Sequence, residues 1–214
     1  MLAVKKIDGR VLGKVESKSG FDARLIVKDY EDTIKVGGKF EDTFAYLIKK
    51  ARFINPRLAW DNWLEEEPIV KEAIDLLITA GYQKKEVQVF MLYNFELTFY
   101  QLEYKRKRCQ EWGVQISDCR FRPLDSTYDN YNPRRNQTSS DYYIHPIWTD
   151  AEVKEFRKRV RGQNILVRFR AGGKPLVLDK LRSENISETV IKEFCTKIPW
   201  QENRHDTIHY PNAV

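Results

Sequence analysis

Hydrophobic and polar positions between residues 57 and 124 repeat in a regular order that predicts strands and helices in turn. Three short apolar runs predict strands, at residues 57–61, 87–93 and 114–124. Two stretches with apolar side chains at helical spacing separate them, at residues 68–80 and 97–112. Each predicted helix ends at a glycine, Gly81 or Gly113, which is common just after a helix. This alternation predicts parallel strands joined by right-handed crossovers.

The pattern before these elements predicts one further strand and one further helix. Polar and apolar residues alternate over residues 21–27, as in a half-buried strand. Residues 35–39 are interpreted as a loop, and the apolar spacing over residues 40–51 predicts a helix. The fold class predicted is therefore α/β, a partial (β/α) barrel with parallel strands, and the domain is predicted to cover residues 21–170.

Short appendages are predicted at both ends of the chain, and a long loop and a helix are predicted in the last part of the domain. Residues 1–20 contain two β-like runs around an Asp-Gly pair, which predicts a small lead-in hairpin. Residues 126–147 are polar and aperiodic, so they predict a long loop. A basic helix over residues 150–161 follows, with Thr149 and Glu152 as its capping box. The remainder is a C-terminal extension, residues 171–214, with a weak strand and a helix predicted at residues 176–178 and 187–197.

Charge is abundant and unevenly distributed. The chain has 32% charged and 42% hydrophobic residues and a formal net charge of +6. Basic side chains are concentrated between residues 105 and 170, beginning with four consecutive ones from Lys105 to Arg108. Such a region can contact phosphate groups of a nucleic acid or of a nucleotide cofactor. The alternative for the first four is an ordinary solvated helix face.

Hydropathy and cysteine usage indicate a cytoplasmic protein. The longest uncharged apolar stretch, residues 87–95, is about half as long as a membrane-spanning helix, so we expect no membrane association. Cys109, Cys119 and Cys195 are odd in number and far apart, which argues against a disulfide framework and against a CxxC metal site. The sequence therefore predicts no metal ligands.

Polar side chains at the predicted strand ends are the candidate ligand contacts, because parallel α/β proteins bind ligands at the carboxyl ends of their strands. They are Asp22, Arg24, Asp61, Asn62, Asn94, Arg120, Arg122 and Asp125. Either they pair with one another, as Asp22 or Asp61 with Arg122 would, or they face a polar ligand. We expect one polar cleft lined by Asp22, Arg24, Asp61, Asn94, Arg120 and Arg122.

Several segments, in this order and spacing, resemble successive strands and helices of radical S-adenosylmethionine (radical SAM) proteins. They are Gly20–Ile26, Arg57–Asp61, Val70–Leu77, Val89–Asn94, Cys119–Asp125 and, near the end of the similarity, His145–Thr149. The resemblance spans about residues 20–165 and corresponds to the C-terminal part of a radical SAM barrel. It implies contacts to the sugar and base of S-adenosylmethionine from Asp61 and Asn94. It also makes Arg24, Arg120 and Arg122 candidates for a carboxylate or phosphate.

The resemblance is incomplete in one chemical respect. Radical SAM proteins hold a [4Fe-4S] cluster on a CxxxCxxC loop, and this sequence has no such loop. Three explanations stay open: a fragment that lacks its N-terminal half, a half-barrel completed by a partner chain, and a scaffold reused without radical chemistry. In each, the cluster comes only from a missing N-terminal segment or a partner, the catalytic residues are unknown, and enzymatic activity is an open question.

A different class of function is also consistent with the sequence. The basic region of residues 105–170 fits a non-enzymatic protein that binds RNA or DNA. Aromatic side chains near the strands either stack on bases or belong to the core. These are Trp60, Trp63, Tyr93, Phe95, Phe99 and Tyr100.

Overall fold

A parallel sheet of four strands organises the chain in a computed structural model that describes residues 6–7, 10–11, 14–16, 20–169, 181–183 and 186–196. A short antiparallel hairpin, β1 (Lys6–Ile7) and β2 (Arg10–Val11), precedes the sheet, as predicted. The sheet consists of β3 (Phe21–Asp22), β4 (Arg57–Ala59), β5 (Gln88–Tyr93) and β6 (Gln115–Arg120). The helices are α1 (Ala23–Lys35), α2 (Phe44–Lys50), α3 (Glu67–Thr79), α4 (Phe99–Trp112), α5 (Asp150–Phe169) and α6 (Glu188–Thr196).

The strands lie side by side in chain order, and each neighbouring pair is parallel. Leu58 is paired with Val89 and Val89 with Ile116, so these three residues lie on one face. This arrangement confirms the predicted parallel pairing of β4, β5 and β6, with α3 and α4 as the crossovers. Parallel strands in sequential order are also the arrangement found in part of a (β/α) barrel.

One face of the sheet forms the core. Leu58, Val89, Met91 and Ile116 are buried there with apolar residues of α3, α4 and α5. On the other face Phe90 and Leu92 are half-buried and Cys119 is exposed. The second face of β5 is therefore less completely covered than the core face, although the run at residues 87–93 is almost continuously apolar.

The predicted strand over residues 21–27 is wrong beyond its first two residues. Asp22 ends β3 and caps α1, because its Oδ1 accepts a hydrogen bond of 2.9 Å from the backbone N–H of Arg24. Ala23, Ile26 and Val27 are the buried residues of this helix. Their spacing of three and four residues is helical, and it competes with the alternation that predicts a strand.

The remaining elements follow the predictions with changed bounds. The helix predicted over residues 40–51 is a 3-10 turn at Phe40–Asp42 followed by α2. No helix or strand occurs between β6 and α5, as expected for the long loop. Thr149 and Glu152 form the predicted capping box of α5, but this helix continues to Phe169 instead of ending near residue 161. The predicted strand at residues 176–178 lies outside the described residues.

Part of the C-terminal extension packs on the end of α5. Ile165 and Leu166 form a small second core with Leu181, Ile186, Val190 and Ile191. The helix predicted over residues 187–197 corresponds to α6. None of the helices in the described ranges combines the length and the apolar character needed to cross a bilayer.

Helix α5 lies along the outer edge of the sheet, and one of its side chains forms hydrogen bonds with the backbone of one residue of β6. Gln115 and Phe121 donate their N–H groups to carbonyls of the β5 side, so the groups of Ile116 between them point away from the sheet. The side-chain amide of Asn164 accepts from the Ile116 N–H at 2.8 Å and donates to its carbonyl at 2.7 Å. One side chain thus replaces a neighbouring strand at this position.

A buried ion pair within α4 is bound by two side chains of α5. Arg106 is fully buried and donates to both carboxylate oxygens of Glu103, at 2.8 and 3.0 Å. Its remaining terminal nitrogen donates to Gln163 of α5 at 3.0 Å and to Gln110 at 3.2 Å. Arg159 of α5 donates to the same Glu103 carboxylate at 2.8 Å. A carboxylate on α4 is therefore shared by guanidinium groups from both helices.

The Asn164 amide gives the first testable prediction. Asn164→Ala leaves the N–H and C=O of Ile116 buried without partners, so we expect the free energy of unfolding to fall by about 1–3 kcal/mol. Chemical denaturation monitored by circular dichroism measures this change. Asn136→Ala, at an exposed loop position, is the matched control and is expected to change stability by less than about 0.5 kcal/mol. Equal stability of the two variants would contradict the prediction.

Candidate functional site

The predicted site residues lie at the carboxyl-terminal edge of the sheet. Asp22 is the last residue of β3, and Arg120 is the last residue of β6. Asn94 directly follows β5, and Asp61 follows β4 by two residues. Their hydrogen bonds and ion pairs divide them into two groups, one beside β3 and β4 and the other beside β5 and β6.

The first group surrounds the exposed guanidinium of Arg24. Arg24 donates to the Asp22 carboxylate at 2.8 and 3.0 Å, and its other terminal nitrogen lies 3.9 Å from Glu66. The hydrogen bond from Arg24 lowers the pKa of Asp22, and Asp22, Glu66 and Asp61 in turn raise the pKa of Arg24. Arg24 lies in α1, so the expectation that it shares a strand face with Asp22 is wrong. Asn62 is bound to Glu66 through its backbone and side-chain amides.

A buried lysine binds the backbone of the segment that contains Asp61. Lys105 of α4 is fully buried, and its Nζ donates to the carbonyls of Trp60 at 2.8 Å and of Asp61 at 3.3 Å. The ammonium also lies 5.1 Å from the centre of the Trp60 ring. Burial lowers the pKa of Lys105 to about 8, and this effect outweighs the opposing effect of Glu66 and Asp61. The two residues after β4 are thus held by a buried amine whose pKa lies below its ordinary value.

The second group contains Arg120 and Arg122, which both pair with Asp129. Arg120 donates to Asp129 at 2.5 Å, and Arg122 lies 3.5 Å from the same carboxylate. The predicted pairing of Arg122 with Asp22 or Asp61 is therefore wrong, because the loop after β6 supplies its own acid. Arg120 is largely enclosed by the rings of Tyr131 and Tyr142, whereas the Arg122 side chain is 59% exposed.

Asn94 is fully buried, and its amide is used within the protein. Its Nδ2 donates to the carbonyl of Phe121 at 3.1 Å and to that of Tyr143 at 2.9 Å. Its Oδ1 accepts from the backbone N–H of His145 at 2.9 Å. Asn94 also has a left-handed backbone, with φ of 61°. The contact to a sugar or base implied by the resemblance is therefore not available to this side chain in the described conformation.

Four rings, which we call the aromatic cluster, lie at the same edge: Phe95, Phe121, Tyr143 and His145. Phe95 is 4.3 Å from Phe121 and 5.9 Å from His145 between ring centres, and Phe121 is 5.7 Å from Tyr143. All four are partly buried, in contrast to the fully buried core rings of Trp60 and Tyr93. The core interpretation is thus correct for Trp60 and Tyr93, and Phe95 belongs to the aromatic cluster.

The basic region is less available to solvent than its sequence suggests. Lys105 and Arg106 are fully buried, so the interpretation of Lys105–Arg108 as a solvated helix face is wrong for these two. Arg108 pairs with Glu67 and Glu111, and Arg159 pairs with Glu103 and Glu155. Several cations in residues 105–170 therefore neutralise acids of the same chain. Nucleic-acid binding by this region stays a prediction.

The described cysteines do not fit an iron–sulfur cluster. Cys109 is buried in the core, where desolvation raises the pKa of its thiol, and Cys119 is exposed on the other face of the sheet. Within the ranges that the structure describes, no three His, Cys, Asp or Glu side chains are grouped to hold a metal ion.

No protein-family model, no curated protein and no solved structure matches this chain. The likeness to radical SAM proteins therefore depends on the sequence segments quoted above.

Two features at the carboxyl-terminal edge of the sheet are not predicted from the sequence. The aromatic cluster combines rings from the ends of β5 and β6 with rings from the loop that precedes α5, and only the fold brings them together. The role of Lys105 is hidden in a run of basic residues. A helical projection does place it with Leu102 and Cys109, at intervals of three and four residues, and both of these are buried.

The buried lysine gives a prediction about pH. Its pKa is about 8 in the folded protein and 10.5 ordinarily, so between these values the unfolded chain binds more protons and stability rises with pH. We expect the free energy of unfolding of the wild type, relative to Lys105→Met, to increase by about 2 kcal/mol between pH 7 and about pH 9.5. Urea denaturation at several pH values measures the difference. Lys107→Met, an exposed position of the same helix, should show no such rise, and a flat difference for Lys105→Met would refute the assignment.

Proposed function

We propose that the chain is a radical SAM-like half-barrel that binds S-adenosylmethionine at the carboxyl-terminal edge of its sheet. The observation that carries this proposal is the aromatic cluster, a partly buried group of rings at the edge where parallel α/β proteins bind ligands. Sequential parallel strands and the sequence resemblance support it further.

The adenine base fits the aromatic cluster. Every base offers a π face, and stacking against aromatic side chains is worth about 1–3 kcal/mol per base. Phe121 and Phe95 are the closest pair of rings in the cluster, and both are partly buried against the protein, which lowers the entropy cost of stacking. Arg122 is the nearby exposed cation for a ligand carboxylate or phosphate.

The methionine end of the ligand carries an ammonium, a carboxylate and a sulfonium, so it needs charges of both signs. Asp22, Arg24, Glu66 and Asp61 supply three carboxylates around one guanidinium at the other part of the edge. Asp61 stays the proposed contact to the sugar. Asn94 is removed from the proposed contacts, because its amide is bound to the backbone.

Reductive cleavage of S-adenosylmethionine takes place when a [4Fe-4S] cluster supplies the electron. The described residues of this chain do not fit that cluster, so the proposed activity of the chain itself is ligand binding. For radical chemistry a partner chain or a further segment would contribute the cluster, and in a scaffold reused without radical chemistry the ligand is bound without one.

Binding of adenosine and S-adenosylmethionine by isothermal titration calorimetry tests the proposal. Phe121→Ala removes one ring of the closest pair in the aromatic cluster and is expected to weaken binding of both ligands by about 1–3 kcal/mol. Tyr100→Ala, an aromatic position that is 79% exposed and lies outside the cluster, should leave both affinities unchanged.

Asp61→Ala should also weaken binding of S-adenosylmethionine by about 1–3 kcal/mol. Loss of thermal stability in Asp61→Ala without loss of binding would assign that residue a structural role instead.

The nucleic-acid alternative predicts a different result in the same experiment. Binding of a single-stranded oligonucleotide by several phosphate contacts falls steeply with added salt. Stacking of uncharged adenosine on the aromatic cluster changes little with salt. Tight oligonucleotide binding with a steep salt dependence, and no affinity for adenosine, would favour the alternative.

Anaerobic reconstitution with iron and sulfide gives a further prediction. Because the described cysteines lie on opposite faces of the sheet, we expect neither the absorbance of a stoichiometric [4Fe-4S] cluster nor formation of 5′-deoxyadenosine. Ultraviolet–visible spectroscopy and chromatography of the products measure both. A cluster that cleaves S-adenosylmethionine in the isolated chain would contradict the prediction.

A further inference from the structure

We infer that Asn94 is a positioning residue that builds the aromatic cluster before any ligand arrives, so that the site is preformed. This inference rests on the function proposed above for the ligand, but the positioning itself does not require a ligand. The resemblance implies that Asn94 contacts the ligand. In the structure its side chain is buried beneath the rings of the aromatic cluster.

Asn94 is bonded, through hydrogen bonds or the chain itself, to every residue of the aromatic cluster. Its three hydrogen bonds reach the backbones of Phe121, Tyr143 and His145, and its chain neighbour is Phe95. These four residues are the complete aromatic cluster. A single amide therefore joins the end of β5 to the end of β6 and to the loop before α5.

The backbone conformation of Asn94 makes this arrangement specific. Asparagine is among the few residues other than glycine that adopt a left-handed backbone readily, and this conformation turns the chain sharply after β5. The turn places the side chain in the interior, where it is fully buried, while Phe95 reaches the surface. Both hydrogens of the amide and one lone pair of its oxygen are used, so its hydrogen-bonding capacity is nearly complete.

Other bonds fix the same segments but not the rings. The indole N–H of Trp148 donates to the carbonyls of Phe95 at 3.1 Å and Leu97 at 2.9 Å, and the backbone N–H of Phe121 donates to Tyr93. These bonds hold the start of α4, the last part of the sheet and, through Trp148, the end of the loop before α5. The direct bonds from Tyr143 and His145 to the end of β5 come from Asn94, and without them this pair stays attached through Trp148, whose backbone N–H donates to the His145 carbonyl at 2.8 Å.

The decisive variant is Asn94→Gly, because glycine adopts the left-handed backbone without strain and only the amide is lost. Asn55→Gly is the matched control: Asn55 also has a positive φ, of 50°, and precedes β4 at the opposite edge of the sheet. We expect Asn94→Gly to weaken binding of adenosine by about tenfold or more, and Asn55→Gly to leave it within about twofold. Adenosine affinity equal to that of the wild type in Asn94→Gly overturns the inference.

Hydrogen exchange at the His145 amide separates this inference from the proposed function. That amide donates to Asn94, so in Asn94→Gly it should exchange faster, together with its neighbours in the loop, while the amides of β5 stay protected. If the wild type binds neither adenosine nor S-adenosylmethionine, the proposed function fails, and faster exchange at His145 still supports the positioning role. Unchanged exchange at His145 overturns it.

Asn94→Asp provides a second variant if Asn94→Gly does not fold. The carboxylate still accepts from the His145 N–H but cannot donate to the carbonyls of Phe121 and Tyr143. We expect the His145 amide to stay protected while adenosine affinity falls, because two of the three attachments are replaced by repulsion. Wild-type affinity in this variant contradicts the role of the amide hydrogens.

Discussion

The ion pair between Arg106 and Glu103 is the interaction on which the outer half of the structure depends. Both residues belong to α4 and are buried, and the guanidinium of Arg159 in α5 donates to the same Glu103 carboxylate. Breaking such a pair by removing one partner costs about 3–5 kcal/mol, since the other charge stays buried. Gln163 and Arg159 of α5 both bind this pair, so it ties α5 to α4 and favours an arrangement in which α5 lies along β6. The loop before α5 is in turn anchored at its end by Asp150, which is bound by Gln137 and Tyr142.

The central elements are predictable from sequence because local and long-range preferences agree there. Residues 57–120 have a strong period, and the glycines after both helices mark their ends, so β4, α3, β5, α4 and β6 occur within a few residues of the expected positions. At residues 21–27 two periods fit the same residues, and the cap supplied by Asp22 decides in favour of a helix. Alternation alone could not show that only one face of β5 is fully covered, because exposure depends on what the rest of the chain places over it.

The site is predictable to the extent that topology determines it. Parallel strands bring Asp22, Asp61, Asn94 and Arg120 to one edge, whatever their partners are. The partners come from distant or aperiodic segments: Asp129 from the long loop, and His145 from a position 51 residues after Asn94. Contacts with such segments produce no periodic pattern of residues, so they cannot be predicted from the sequence. Buried Lys105 and Arg106 show a related limit, because composition counts their charges as surface charge although acids, carbonyls and amides of the same chain enclose them.

The pairing of Asn164 with Ile116 has a consequence for how the protein behaves at high concentration. An uncovered edge strand presents free N–H and C=O groups on which a strand of another molecule can assemble, which is a common route to aggregation. The amide of Asn164 occupies both groups of Ile116, and α5 covers the strand beside it. Growth of the sheet past β6 is therefore blocked at this position.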